Sequence, residues 1–352
     1  MSPLERRNTV RLVRSYFCDT PSYDHLSAQF DYALDLLGWA PKLAGNVEDV
    51  DLKDRAGIDL SQLEHDGFRE DQFDPEARYS EGRILVVTGE TGTGKSRALM
   101  KLLRDNSNRI GDRLISTVAP SPCTLLQLGR ELLCELGYEL RGDKKEYLVW
   151  EDVRRKIDEK KIRIVYVDEM QHLPQRANRD QRENILNTIK HLTRRRPDPL
   201  LIIASGTHEI ADFLQIDGQV RRRCIYVEIS RLALPLDILP VACSIGELAR
   251  LGRLQINNDV ADNVAARLIH ASNYAFGTAM ELTTEAINHA LGLEQADLHI
   301  RNFGEAFRRR TFCSNYNNPF HVDNWKEIDP TRVIDRTPIA DRSSAMAGKG
   351  KQ

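Results

Sequence analysis

A chain of 352 residues, 41% hydrophobic and 29% charged, has room for two or three domains with substantial cores. Its formal net charge of −2 excludes a globally basic nucleic-acid-coating protein and confines any such contact to a local patch. Six scattered cysteines (Cys18, Cys123, Cys134, Cys224, Cys243, Cys313) without a C-x-x-C pair argue against a disulfide framework or a zinc site; with no apolar leader and no run of ~20 apolar residues, a cytoplasmic protein without membrane contact is expected.

In chain order, the first 43 residues read as helices. Leu4, Val10, Val13 and Phe17 alternate with Arg6, Arg7, Arg11 and Arg14, a basic face that is either solvated or an arm for DNA or a neighbouring subunit. A second helix is predicted from Tyr23 to Leu37, with Leu26, Phe30 and Ala33 on one side and Gly38 as its stop. Residues 44–80 hold eleven acidic and four basic residues and read as an irregular acidic connector. An alternation follows: strands at 84–87, 113–119, 162–169, 200–207 and 224–229, and helices from Lys95, over 124–137, 147–160 and 180–195. This predicts an α/β domain over 81–232, a parallel five-stranded sheet with helices on both faces. Helices at 247–254, 260–272, 278–291 and 303–310 predict a helical domain over 233–312. A C-terminal extension over 313–352 is expected to end in disorder.

The first strand runs into Gly89-Glu90-Thr91-Gly92-Thr93-Gly94-Lys95-Ser96, the G-x-x-x-x-G-K-S spacing of a phosphate-binding loop between strand and helix. Glycines let backbone N–H groups turn toward phosphate oxygens, and the following helix adds its positive end. Lys95 would reach the β- and γ-phosphates and Ser96 would hold Mg²⁺. Gly89 through Arg97 is the candidate nucleotide-binding set. The strand Ile164–Val167 ends in Asp168-Glu169, where Asp168 would serve Mg²⁺ and Glu169 would take a proton from water. Ser205-Gly206-Thr207 closes the next strand as a simple turn or as a sensor of the γ-phosphate, with Thr207 favoured. Arg221-Arg222-Arg223 reads as a solvated turn or as the source of an arginine acting on a neighbour's site, with Arg223 favoured. Candidate DNA-facing residues are Arg179, Arg182, Lys190, Arg194–Arg196, Arg130, Lys144 and Lys145.

Together the loop, the Asp168-Glu169 and Ser205–Thr207 strand ends, the arginine run and the helical tail resemble an AAA+ ATPase. More narrowly, the helical lead-in and the tail, with Leu268-Ile-His-Ala-Ser-Asn-Tyr-Ala-Phe-Gly277 and His299-Ile-Arg-Asn-Phe-Gly-Glu-Ala-Phe307, resemble the TniB/TnsC-type ATP-binding proteins of transposons, over roughly residues 10–312. The resemblance implies ATP and Mg²⁺ as cofactors and ATP-dependent assembly on double-stranded DNA as a ring or helical filament. It further implies target-site selection and regulation of a transposase and other transposition proteins. Asp168 and Ser96 would then serve the metal, Glu169 water activation, Thr207 sensing and Arg223 the neighbouring site. AAA+ lids commonly carry an arginine shortly after a glycine, but Gly277-Thr-Ala-Met280 offers Met280, so slow, assembly-controlled hydrolysis is expected. A GTPase is disfavoured by the absence of Asn-Lys-x-Asp, a transporter ATPase by the absence of LSGGQ, and a small-molecule kinase by the tandem carboxylates. The alternatives are a helicase-loader or replication-initiator ATPase and a non-catalytic ATP-gated interaction switch.

Overall fold

The computed structural model describes residues 2–39, 81–138, 142–194, 199–256 and 258–331. The expected acidic connector, Arg195 and Arg196, and the expected disordered end lie outside them. The elements in chain order are α1 (Pro3–Ser15), α2 (Pro21–Leu36), β1 (Arg83–Thr88), α3 (Lys95–Asp105), α4 (Ser107–Ile110), β2 (Leu114–Val118), α5 (Leu125–Glu135), α6 (Glu146–Glu159) and β3 (Ile164–Asp168). Then come α7 (His172–Gln175), α8 (Arg179–Thr193), β4 (Leu201–Gly206), α9 (His208–Gln215), α10 (Gly218–Arg221), β5 (Cys224–Glu228), α11 (Ile238–Leu251), α12 (Asn258–Ala271), α13 (Phe276–Gly292) and α14 (Ile300–Thr311).

The chain divides into two compact units. One, the sheet unit, comprises His25–Thr88 and Leu99–Glu228; the other, the helical unit, comprises the residues up to Asp24, Gly89–Ala98 and those from Ile229 on. The sheet unit holds five strands in the order β2-β3-β4-β1-β5, all paired in parallel. Branched residues suit strands buried on both faces. Ile84, Val86, Val165, Val167, Ile202 and Ala204 meet Leu128 and Leu132 of α5, Val149 and Val153 of α6, and Ile185 and Ile189 of α8. On the other face Leu85, Val87, Ile164, Leu201 and Ile203 are also buried. Parallel pairing sets Thr88, Asp168 and Gly206 at the same, C-terminal edge, where ligands of such sheets bind. Gly38 stops α2 as expected: its φ is +63°, and the next N–H, Trp39, donates back to Leu34 O at 2.9 Å.

The helical unit packs α1, α11, α12, α13 and α14 around Val13, Ile245, Leu268, Ile287, Phe303 and Phe307. Helix α1 is tied down at Arg6, which donates through Nε to Asn288 Oδ1 at 3.2 Å and through Nη2 to Asn288 O at 2.9 Å. Helix α11 begins nine residues earlier than the sequence pattern suggests. Pro240 hides the start, yet as the third helical residue it occupies a turn whose N–H groups have no partner within the helix anyway. Residues 313–331, expected as an extension, pack onto this unit. Asn318 is fully buried and donates to Gly304 O at 2.8 Å, His270 Nε2 pairs with Ile328 O at 2.7 Å, and Phe320 joins the core. Among the described residues no helix is long and apolar enough to cross a membrane.

Glu305 on α14 links this unit's stability to pH. Hydrogen bonds from Arg308 above all, and from Arg309, hold its carboxyl down from 4.5 to about 2 against the opposing effect of burial. A carboxyl depressed in the folded state contributes stability that is present above pH 4.5 and lost as pH falls toward 2. In acid titration by circular dichroism, the wild type is expected to lose more stability across that window than Glu305→Gln; parallel curves would show that the Arg308 contact adds nothing.

Candidate nucleotide site

The loop lies in the helical unit. Thr88 ends β1, and Gly89–Gly94 lead into the first turn of α3 at Lys95. Gly92 and Gly94 have φ of +83° and +102°, backbone that side-chain-bearing residues rarely adopt. Thr93, buried, closes the turn by donating from Oγ1 to Glu90 O at 2.9 Å. Lys95 is buried, and its ammonium donates to Gly89 O at 2.8 Å and Glu90 O at 3.0 Å. The loop thus wraps its own cation, and phosphate oxygens are stronger acceptors for that ammonium than neutral carbonyls. Thr91 is exposed, Ser96 is half-buried in the first turn of α3, and Glu90 faces Arg231 at 3.6 Å.

The N-terminus of α13 packs directly on this loop. Thr278 N–H donates to Gly92 O at 3.1 Å, and a Cβ on Gly277 would lie 2.6 Å from that same oxygen. The sequence directed attention to Met280, three residues on. Met280 instead belongs to the helical core, its sulfur 3.9 Å from Cys18 Sγ, so the loop is met by Gly277 and Thr278. Arg97, in the candidate nucleotide set, is engaged elsewhere. Its Nη2 donates to Arg14 O and Tyr16 O, both at 2.6 Å, capping the carbonyl end of α1 with a cation.

In the sheet unit, Asp168 is the last residue of β3, is buried, and accepts the Glu169 N–H on Oδ1 at 2.9 Å. Glu169 has φ +53°, a left-handed conformation unfavourable for a residue with a Cβ and concentrated at functional sites. Its Oε2 accepts from Gln171 Nε2 at 2.5 Å and stands 3.9 Å from His172 Nε2. Gln171 Oε1 accepts the Thr207 N–H at 3.3 Å. Sequence reasoning stopped at Asp168-Glu169 and missed Gln171, whose burial and whose contact with Thr207, 36 residues on, leave no local signal. Thr207 precedes α9, and its hydroxyl, like that of Ser205, is a buried atom without a hydrogen-bond partner. Such an orphan invites a partner from outside the chain.

The arginine run begins at the last residue of α10 and ends just before β5. Arg223 is buried and donates to Glu81 through Nη2 at 3.1 Å and Nε at 3.4 Å; that hydrogen bond is the main reason the Glu81 carboxyl titrates below its ordinary value. Arg221 and Arg222 are the exposed members. Several candidate DNA-facing cations also have internal partners: Lys190 with Asp217 at 3.0 Å, Lys144 with Asp152 at 2.8 Å, Arg130 with Asp143 at 3.5 Å, Arg194 with Gln219, and Arg182 with two carbonyls. On α1, Arg7, Arg11 and Arg14 are exposed. Asp168 in the sheet unit and Ser96 in the helical unit each carry oxygen of the hard kind that Mg²⁺ prefers; among the described residues no group of three or more His, Cys, Asp or Glu could hold a metal by itself.

A family model described as AAA domain matches residues 77–214. Among solved structures, the Aeropyrum pernix ORC1 protein in complex with DNA is 16% identical with a TM-score of 0.50, over 67% of this chain and 61% of that one. The Aeropyrum pernix ORC2 protein, in ADPNP–ADP complexes, is 11% identical with a TM-score of 0.49, over 68% and 66%. The Thermotoga maritima RuvB Holliday junction branch migration motor is 13% identical with a TM-score of 0.42, over 73% of each chain. The chain spans just under two thirds of the length of the first two. A search of curated proteins finds no match.

The Gly277 contact sets up a test. A larger side chain there must displace the loop, an overpacking cost on the order of 1–3 kcal/mol. In titrations with a fluorescent ATP analogue, Gly277→Val is expected to weaken binding by about tenfold. Gly246→Ala on α11, where a Cβ meets open space, should leave it unchanged. Equal affinities for all three proteins would separate the α13 contact from nucleotide binding.

Proposed function

We propose that this chain, which has the P-loop AAA+ fold, is an ATP hydrolase that assembles on double-stranded DNA when ATP-bound and regulates DNA transposition. In this reading it takes part in target-site selection and recruits or stimulates a transposase. The observation that carries the nucleotide reading is the Gly89–Ser96 loop, with left-handed glycines and a buried Lys95 ammonium lying over its carbonyls. Backbone N–H groups, the Lys95 ammonium and the start of α3 would bind the phosphates. Ser96 and Asp168 would hold Mg²⁺, which when bound neutralises charge on the phosphate oxygens. Glu169 would accept the proton of a water attacking the γ-phosphorus as the bond to the bridging oxygen breaks, releasing ADP and inorganic phosphate. The orphan hydroxyl of Thr207 suits a hydrogen bond to that water or to the γ-phosphate.

Arg223 is the candidate for an arginine acting on a neighbouring subunit: its Nε and Nη2 face Glu81, its buried Nη1 has no hydrogen-bond partner, and Arg221 and Arg222 beside it are exposed. With Met280 in the helical core, the lid supplies no guanidinium at the usual position. Turnover would therefore depend on the neighbour, and slow, assembly-controlled hydrolysis follows. The homo-oligomer would be a ring or a helical filament, and the transposase a second partner. A replication-initiator or helicase-loading role is the second reading; it draws on the likeness in fold to the ORC1 protein, whose structure includes DNA. A non-catalytic ATP switch would bind nucleotide without turnover.

Sedimentation with ATP, with ADP and with duplex DNA tests the assembly. Multimers are expected with ATP and DNA together, along with a DNA-stimulated ATPase; a monomer under every condition would sink the claim. Glu169→Gln is expected to retain ATP binding while kcat falls by about 100-fold or more. Unchanged turnover would remove Glu169 from the role of base.

A further inference from the structure

Gln171 has no part in the chemistry described so far, yet its side chain joins the ends of β3 and β4. It follows Asp168 by three residues, stands just before α7 and is buried. Its Nε2 donates to Glu169 Oε2 at 2.5 Å, and its Oε1 accepts the Thr207 N–H at 3.3 Å. The partners themselves fix the orientation of the amide. An ionised carboxylate oxygen can only accept and a backbone N–H can only donate, so exchanging the amide's oxygen and nitrogen would break both bonds.

The seat is tight. Met170 N–H donates to Ser205 O at 2.9 Å, which draws the two strand ends together beneath the amide. A Cβ on Gly206 would collide with Gln171 Oε1, so the glycine in Ser205-Gly206-Thr207 makes room for this side chain. A glutamate carboxylate ends a chain of three rotatable bonds, and its freedom is costly to remove without a fixed partner. Glu169 gains that partner on one oxygen only. Its charged and titratable neighbours in the sheet unit are Asp168, whose Oδ1 is taken by the Glu169 N–H, and His172 at 3.9 Å.

We propose that Gln171 is a positioning residue for hydrolysis. It holds the Glu169 carboxylate by Oε2, leaves Oε1 for the proton of the attacking water, and registers that carboxylate against Thr207 through the second end of the same amide. The inference rests on the hydrolytic role of Glu169 given above. It also gives Ser205-Gly206-Thr207 a second role, since beside any contact with phosphate this strand end anchors the base.

The test uses the full chain as wild type, Gln171→Ala, Gln171→Glu, Glu169→Gln and the double variant Glu169→Gln/Gln171→Ala. Steady-state and single-turnover ATP hydrolysis are measured alongside the dissociation constant of a fluorescent ATP analogue. Gln171→Glu is nearly isosteric: it keeps an acceptor for the Thr207 N–H and loses the donor to Glu169. Both single changes at 171 are expected to lower kcat by about 10- to 100-fold while KM and the dissociation constant stay within about twofold. In the Glu169→Gln background, Gln171→Ala is expected to add no further loss, because two residues acting as one unit are not additive. Should Gln171→Ala fail to fold, Gln171→Glu carries the test. Wild-type or raised kcat in a folded variant, or an undiminished further loss in the double variant, overturns the role of Gln171. A wild type that turns over, with Glu169→Gln inactive and Gln171→Glu unaffected, overturns it while leaving the hydrolytic reading intact. A wild type without turnover overturns both.

Discussion

Close approach at glycine, with no Cβ standing between, is the constraint on which the phosphate-loop contact and the two strand ends depend. In the helical unit, Gly277 lets the start of α13 come close enough for the Thr278 N–H to reach Gly92 O. In the sheet unit, Gly206 admits the Gln171 amide between two strand ends. Neither contact is large in area, and neither belongs to a hydrophobic core. Each places a polar group by a hydrogen bond, the Thr278 N–H on Gly92 O and the Thr207 N–H on the Gln171 amide oxygen, and catalysis depends on such positioning. The cores behind them, Leu85 to Val87 in the sheet and Phe303 with Phe307 among the helices, provide the rigid backing.

Arginine is where charge and availability part company. A guanidinium carries five donors in a fixed plane, so it finds internal acceptors readily once chain segments converge. Arg97 commits its donors to the carbonyl end of α1, Arg6 to Asn288, and Arg223 to Glu81. Each sits in a stretch that reads as functional, and each also ties together segments distant in sequence. Arg7, Arg11, Arg14, Arg221 and Arg222, from the same stretches, remain exposed. A run of like charges in a sequence therefore overstates the charge available to a partner.

The strands and the loop were legible because their signals are local. A branched apolar run has one comfortable conformation, and the loop spacing encodes its own turn, so all five strands fall within two residues of their expected bounds. The contacts that were not legible join residues far apart in sequence. Gln171 to Thr207 spans 36 positions and Arg223 to Glu81 spans 142. The start of α11 was hidden by Pro240, which signals a break by composition but sits where a helix tolerates it. Asn318 and Phe320 lie in a proline-bearing, polar-looking segment held by scattered contacts, among them those to Gly304, Phe303 and Phe307, rather than by any periodic pattern.

The seat of Gln171 has a consequence for how this chain can drift over generations. Positions 171 and 206 share one small volume: a Cβ at 206 would meet the amide oxygen, the movable end of a long side chain, which would have to turn away from the Thr207 N–H. A change at 206 would therefore be felt at 171, 35 residues away along the chain, as a loss of aim in the amide.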